Sequence, residues 1–285
     1  MSTTPFWIIF TDLDGTLLDH NSYKWEDAQP ALELCKRLDV PVVMVSSKTR
    51  AEIDLLRRML SMSAPFISEN GGGIFFPSEI FDTPSTGSLI IANERVSLIK
   101  ADKNLWKWSL GLPYDHLVKE LREIRDETGW DIKGFSDMTV EDISRLTGLD
   151  RQTSRLAAMR EYDEPFVILE NQKPDKNLLF NAAAKRGIVV TVGKRFYHLQ
   201  GKTDKGQAME KVISWYEQFH DNIVSISLGD SQNDFPMLKR ADYPVLVRSQ
   251  CDSQTPKVKI PRLKITNEIG PKGWNSTVLE ILENK

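Results

Sequence analysis

Phe6-Trp7-Ile8-Ile9-Phe10 is a continuous apolar run, and it ends in Thr11-Asp12-Leu13-Asp14-Gly15-Thr16. A segment apolar at every residue suits a strand buried on both faces, as in the middle of a parallel sheet. Parallel strands need crossover connections, and the sequence supplies them. Glu26 to Leu38 reads as a helix, with Ala31, Leu34, Cys35 and Leu38 on one face. Pro41-Val42-Val43-Met44-Val45 is a second buried strand. Thr49-Arg50-Ala51-Glu52 then fits a capping box, and Ile53, Leu56, Met59 and Leu60 continue it as an apolar stripe. Phe66 to Ser68 is a third strand, and Glu69 to Gly73 a turn into Ile74-Phe75-Phe76. Strand, helix, strand, helix, strand predicts an α/β, Rossmann-like, doubly wound parallel-sheet core.

The rhythm changes near Pro84-Ser85-Thr86-Gly87-Ser88, which reads as a hinge. From there to Gly193 strands and helices mix without strict alternation: a helix over Tyr114–Thr128, a strand over Asp131–Phe135, helices over Val140–Leu146 and Arg151–Arg160. A strand over Phe166–Leu169, a helix over Asn177–Arg186 and a strand over Ile188–Val192 follow. The first pattern resumes with Phe196–Leu199, a helix over Lys205–Phe219, a fourth apolar run at Val224–Leu228, a helix over Phe235–Ala241, a strand over Pro244–Val247 and a closing helix over Trp274–Leu282. The expected organisation is a core in two parts, 1–84 and 194–285, with an inserted α+β cap domain at 85–193.

Each polar cluster of interest follows an apolar strand. Asp12 and Asp14 follow the first, Ser46 the second, and Gly229-Asp230-Ser231-Gln232-Asn233-Asp234 the fourth. In an open parallel sheet the carboxyl ends of the strands share one edge, where ligands bind, so clusters distant in sequence converge there. Lys205, opening a helix beside Gly206, joins them. Carboxylates and loop carbonyls make a hard oxygen cage suited to Mg²⁺; with no His or Cys at hand, zinc is disfavoured. A carboxylate can attack phosphorus to give an aspartyl-phosphate. A second carboxylate two residues on can protonate the leaving alcohol and then deprotonate water. A lysine and a hydroxyl such as that of Ser46 would meet the phosphoryl oxygens. No Gly-rich Walker loop is present.

The formal net charge is −3, so no global positive field exists to hold nucleic acid or an anionic membrane. Lys257, Lys259, Arg262 and Lys264 read as a solvated strand face. The apolar runs are too short to span a bilayer, and Met1 to Pro5 shows no signal peptide, so a cytoplasmic protein is expected, monomeric or homodimeric. Cys35 on a helix and Cys251 in a polar loop make neither a disulfide framework nor a zinc site.

Asp12-Leu13-Asp14-Gly15-Thr16, Ser46, Lys205 and Gly229-Asp230-Ser231-Gln232-Asn233-Asp234 resemble, in order and placement, the four motifs of the haloacid dehalogenase-like phosphatase superfamily. The resemblance implies Asp12 as nucleophile and Asp14 as acid/base. It implies Ser46 and Lys205 as phosphate ligands, with Lys202 a weaker match than Lys205. It implies Mg²⁺ held by Asp12, the Asp14 carbonyl and Asp230, with Asp234 orienting a metal-bound water or Lys205. The long insertion is similar to the cap of the Cof-like, sugar-phosphate-handling branch. Ser46-Ser47-Lys48-Thr49 stands where that branch usually has Thr-Gly-Arg, and this resembles the mannosyl-3-phosphoglycerate phosphatase group. So do Glu69-Asn70-Gly71, Gly134 to Thr139, Arg160 to Phe166, Gly193 to His198 and Gly270 to Trp274. The activity implied is Mg²⁺-dependent hydrolysis of 2-O-mannosyl-3-phosphoglycerate to mannosylglycerate and phosphate.

Such a small-molecule substrate carries a sugar and a carboxylate besides its phosphate. Lys48, Asn70, Ser136, Asp137, Arg160 and Arg195 are the candidates to contact it, with Asn233 beside the fourth motif. His198 reads as structural. Trp106 and Trp108 read as packing one face of a cap strand, with sugar stacking the alternative. Rival readings are a phosphatase for glucosyl-3-phosphoglycerate or another sugar phosphate, a phosphomutase, and a receiver-like phosphate sensor. Asp14 favours turnover over sensing, since a receiver needs no acid/base.

Overall fold

A computed structural model describes residues 4–81, 88–91, 94–169, 175–193, 195–249 and 259–284. The centre of the expected hinge, Lys194, Cys251 and Lys257 lie outside these residues. In chain order the first elements are β1 (Phe6–Thr11), α1 (Gln29–Arg37), β2 (Val42–Met44), α2 (Arg50–Met59), β3 (Phe66–Ser68) and β4 (Gly73–Pro77). Then come β5 (Ser88–Ile91), β6 (Glu94–Ser97), β7 (Ile99–Asp102), β8 (Leu105–Ser109), α3 (Tyr114–Thr128), β9 (Ile132–Gly134), α4 (Val140–Thr147) and α5 (Arg151–Ala157). The chain continues with β10 (Asp163–Ile168), α6 (Lys176–Lys185), β11 (Val189–Val192), β12 (Tyr197–Gln200) and α7 (Lys205–Tyr216). It closes with β13 (Ile223–Gly229), α8 (Phe235–Leu238), β14 (Tyr243–Arg248), β15 (Lys264–Ile269) and α9 (Gly270–Glu283).

The central sheet has the order β15-β14-β13-β1-β2, and every pairing in it is parallel. Alternate residues of β1 face opposite helical layers. Trp7 and Ile9 pack with Ala31 and Cys35 of α1 and Trp274 and Val278 of α9. Ile8 and Phe10 pack with Met209, Val212 and Trp215 of α7 and Met237 of α8. Burial on both sides is why β1 is apolar throughout. Thr49 caps α2 in the expected capping box with Glu52.

A second sheet, β11-β12-β10-β9, is antiparallel. Leu117, Leu121 and Ile124 of α3 and Leu179 and Ala183 of α6 pack with Phe166 and Leu199 on one of its faces. Asp163 and Gln200 are direct cross-strand partners, and His198, two residues before Gln200, bonds Asp163. All three therefore share the face opposite those helices.

The pairings cross the segment limits expected from the sequence. β7 and β8 join β3 and β4 in an antiparallel sheet, and β3 continues from β2 through a Val45–Ile67 bridge. Trp106 and Trp108 therefore pack beside Phe76 and Trp215, not in the inserted sheet. β12, expected with the closing segment, pairs with β10 and β11. The solvated strand face expected over Lys257 to Lys264 meets the structure only at its end: Lys264 opens β15, an edge strand with a mostly polar sequence that runs on to Ile269, and pairs with Glu280. Among the described residues no helix is long and apolar enough to cross a membrane.

Candidate active site

β1 delivers Asp12 to the carboxyl edge of the central sheet, and the Asp12 amide donates to the Leu228 carbonyl of β13. Thr11 is fixed from both sides: Trp274 Nε1 donates to its Oγ1 at 2.9 Å, and that hydroxyl donates to the Asp12 carbonyl at 2.8 Å. Gly15 then turns with φ +82°, and a Cβ there would lie 2.7 Å from Asp230 Oδ2. Only glycine lets the two loops meet this closely.

Lys205 is the first residue of α7, whose N-terminus is capped by the Asp204 side chain. Its side chain is fully buried, and Nζ lies 2.6 Å from both Asp12 Oδ1 and Asp234 Oδ1. The other Asp234 oxygen accepts the backbone N–H groups of Asp230 and Ser231. Asp12 Oδ2 accepts from Thr16 Oγ1 at 3.3 Å. Burial pushes the Asp12 carboxyl well above the usual carboxylate range; Asp234 and Asp230 add to this, and Lys205 opposes it. Burial also works against the Lys205 charge, but Asp12 and Asp234 outweigh it and hold its pKa above the ordinary value.

Asp12, Asp230 and Asp234 present oxygens within 4.8 Å of one another, and the ammonium of Lys205 meets Asp12 and Asp234. Asp14 Oδ1 is buried without a hydrogen-bond partner. Crowded oxygen ligands and an unpartnered acceptor fit a divalent cation. Asp234 binds Lys205 through one oxygen and two backbone amides through the other, and Asp12 binds Lys205 through one oxygen and Thr16 through the other, so Lys205 ties the two carboxylates together.

The remaining candidates divide. Ser46 lies two residues beyond Met44, the register partner of Thr11, and its carbonyl accepts from the Asn70 amide. Asn70, with φ 55°, accepts through Oδ1 from Asn233 Nδ2 at 3.1 Å, joining the loops after β3 and β13. Lys48 places Nζ 3.0 Å from Asp14 Oδ2 and 3.7 Å from Glu52. Arg160 is buried; it donates to the Ser47 carbonyl at 2.9 Å and pairs with Asp163 at 3.3 Å. These residues gather around the acidic cluster or the loops that frame it. The others do not. Ser136 donates to Glu164, which also accepts from the Tyr114 hydroxyl at 2.6 Å. Asp137 is paired with Arg122 and Arg125. Arg195 is exposed and donates to the Thr147 carbonyl. Lys202 is exposed, while Lys205 makes the contacts.

Sequence reasoning missed Glu69. Its buried carboxylate accepts the Glu161 amide at 3.0 Å and the Tyr162 amide at 2.7 Å, tying the loop after β3 to the chain entering β10. Around it Thr49 donates to the Leu156 carbonyl, and Arg50 and Lys107 converge on Glu161. The Glu69-Asn70-Gly71 triplet was visible, but only the folded chain shows which amides face it.

A family model of haloacid dehalogenase-like hydrolases matches residues 9–86 and 166–259. The chain belongs to that family. A glucosyl-3-phosphoglycerate/mannosyl-3-phosphoglycerate phosphatase of Methanococcoides burtonii is 39% identical over 277 residues, covering 96% of this chain and 97% of its own. The enzyme of the same name from Persephonella marina is 39% identical over 96% of this chain and 97% of its own. A mannosyl-3-phosphoglycerate phosphatase of Pyrococcus furiosus is 34% identical over 84% of this chain and 90% of its own. A crystal structure from Thermoplasma acidophilum superposes with a TM-score of 0.66 at 18% identity, over 99% of this chain and 100% of that one. A haloacid dehalogenase-like hydrolase from Bacteroides thetaiotaomicron gives 0.63 at 17%, over 97% and 99%. The solved structures share the fold; the curated relatives make this member a phosphatase.

Proposed function

We propose that the enzyme is a Mg²⁺-dependent phosphomonoesterase acting on 2-O-mannosyl-3-phosphoglycerate, and on its glucosyl counterpart, through phosphorylation of Asp12. The observation that carries the chemistry is Lys205, buried and 2.6 Å from both Asp12 and Asp234, which opposes the upward push that burial, Asp234 and Asp230 give the Asp12 carboxyl and sets a cation beside the attacking oxygen. The relatives named for both sugars support the substrate.

Asp12 attacks phosphorus, and the bond to the leaving oxygen breaks. Asp14 gives that oxygen its proton. Asp14 then takes a proton from water, which attacks the aspartyl-phosphate and frees phosphate and Asp12. Ser46 and Lys205 contact the phosphoryl oxygens. Asp12, the Asp14 carbonyl and Asp230 would hold Mg²⁺, which supplies positive charge against the phosphoryl group. The inserted unit, expected at 85–193 and built here on the sheet β11-β12-β10-β9, closes over the site and excludes water. Arg160 supports this role by linking the inserted unit to the Ser47 carbonyl.

The test is a phosphate-release panel in Mg²⁺ with mannosyl- and glucosyl-3-phosphoglycerate and simple hexose phosphates. Strong preference for the glycosylated phosphoglycerates is expected. Equal rates across the panel reduce the enzyme to a general sugar-phosphate phosphatase, and no turnover on any ester overturns the reading.

A further inference from the structure

Next to Asp14 the site continues through Lys48 onto Tyr23, a residue that no motif includes. Lys48 Nζ lies 3.0 Å from Asp14 and also 5.1 Å from the centre of the Tyr23 ring. Tyr23 is 43% exposed although it touches a largely buried cation, so part of the ring faces open space at the rim. It is held there firmly. Asp19 Oδ1 accepts the amides of Asn21 and Ser22 and the Ser22 hydroxyl. The Tyr23 amide donates to the Asp19 carbonyl, and the Asp19 amide to the Lys24 carbonyl. Tyr23 itself has φ 56°, unfavourable for an aromatic residue and sustained only where surrounding bonds over-determine it.

We infer that Tyr23 is a specificity-determining residue that contacts the sugar of the leaving group. This rests on the proposed reaction. If Asp14 protonates the leaving oxygen, the alcohol lies beside Asp14, where Lys48 and, through it, Tyr23 are the neighbouring side chains. Lys48 is committed to Asp14 and Glu52, and with Asp14 protonated for the transfer the charges of Lys48 and Glu52 cancel. That surface favours a neutral polyol over a second carboxylate. A phenol ring offers an apolar face for a pyranose and a hydroxyl for its hydroxyls. The residue belongs to the loop after β1, so part of the sugar selection comes from the core side of the site.

The experiment compares kcat/KM for mannosyl-3-phosphoglycerate with kcat/KM for 3-phosphoglycerate, an alkyl phosphate ester with the same need for a proton on its leaving oxygen but no sugar, in the wild type and in Tyr23→Ala and Tyr23→Phe. The ratio is expected to fall about tenfold in Tyr23→Ala, chiefly through KM for the glycosylated ester, and by less in Tyr23→Phe. Equal losses on both esters would assign Tyr23 only to supporting Lys48 and Asp14, and overturn the inference. So would a ratio within about twofold of wild type, the level at which a stacked aromatic contributes nothing. Failure of the wild type itself to hydrolyse the glycosylated ester overturns the proposed reaction instead, so the two failures are distinct.

Discussion

Replacing Glu69 by Gln isolates the latch between the loop after β3 and the chain entering β10. Burial raises the Glu69 carboxyl to about 8; Arg160 opposes the shift, Asp163 adds to it, and the amides of Tyr162 and Glu161 oppose it. In the unfolded chain a glutamate titrates near about 4.3. Between those values the folded protein retains a proton that the unfolded chain has lost, so stability falls as pH rises through this window. At about 1.4 kcal/mol per pH unit, the loss is on the order of several kcal/mol, a large part of the stability of an ordinary domain. Gln keeps the acceptor for the backbone amides and removes the titration. Urea unfolding at intervals from pH 5 to pH 8 reads the effect. Wild type should lose stability across that range, and Glu69→Gln should lose several kcal/mol less. An identical pH slope in the two proteins would refute the reasoning, because Glu69 would then be ionised throughout, held by the amides and Arg160.

Lys205→Met should abolish turnover and destabilise the fold by roughly 3–5 kcal/mol, since Asp12 and Asp234 lose the buried cation between them; phosphate release and denaturant midpoint check this. Gly15→Ala should raise the Mg²⁺ concentration for half-maximal activity about tenfold or more, because its Cβ would press on Asp230 and its φ suits glycine; a metal titration of activity reads it. Arg160→Ala leaves Asp163 buried without its cation and frees the Ser47 carbonyl, so a stability loss of about 3 kcal/mol and faster proteolysis within 85–193 are expected, measured by thermal unfolding and limited digestion.

The catalytic edge was legible because of where its residues sit along the chain. Asp12, Ser46 and Asp230 each come directly after an apolar run, and parallel topology carries all such positions to one edge. α3 and β3 matched their sequence patterns end to end, since the apolar stripe of one and the buried triplet of the other are local signals. What stayed hidden depends on tertiary partners. β15 beyond Lys264 is mostly polar because an edge strand is half solvated. β7 and β8 carry no local sign of whether they pair within the insertion or with β4. Lys48 is a cation in sequence, and only the folded chain shows it committed to Asp14 and Glu52. Ser136 and Asp137 share a motif with Gly134, yet their polarity serves Glu164 and two arginines of α3.

The central claim is that phosphoryl transfer passes through Asp12. Rapid quenching of the enzyme in acid during turnover of mannosyl-3-phosphoglycerate, followed by mass spectrometry of the peptide containing Asp12, tests it directly. The account predicts that wild type carries one phosphoryl group on that peptide, sited at Asp12, and that Asp12→Asn carries none and releases no phosphate. Near-wild-type phosphate release by Asp12→Asn, or a phosphoryl group trapped on another residue, would contradict it.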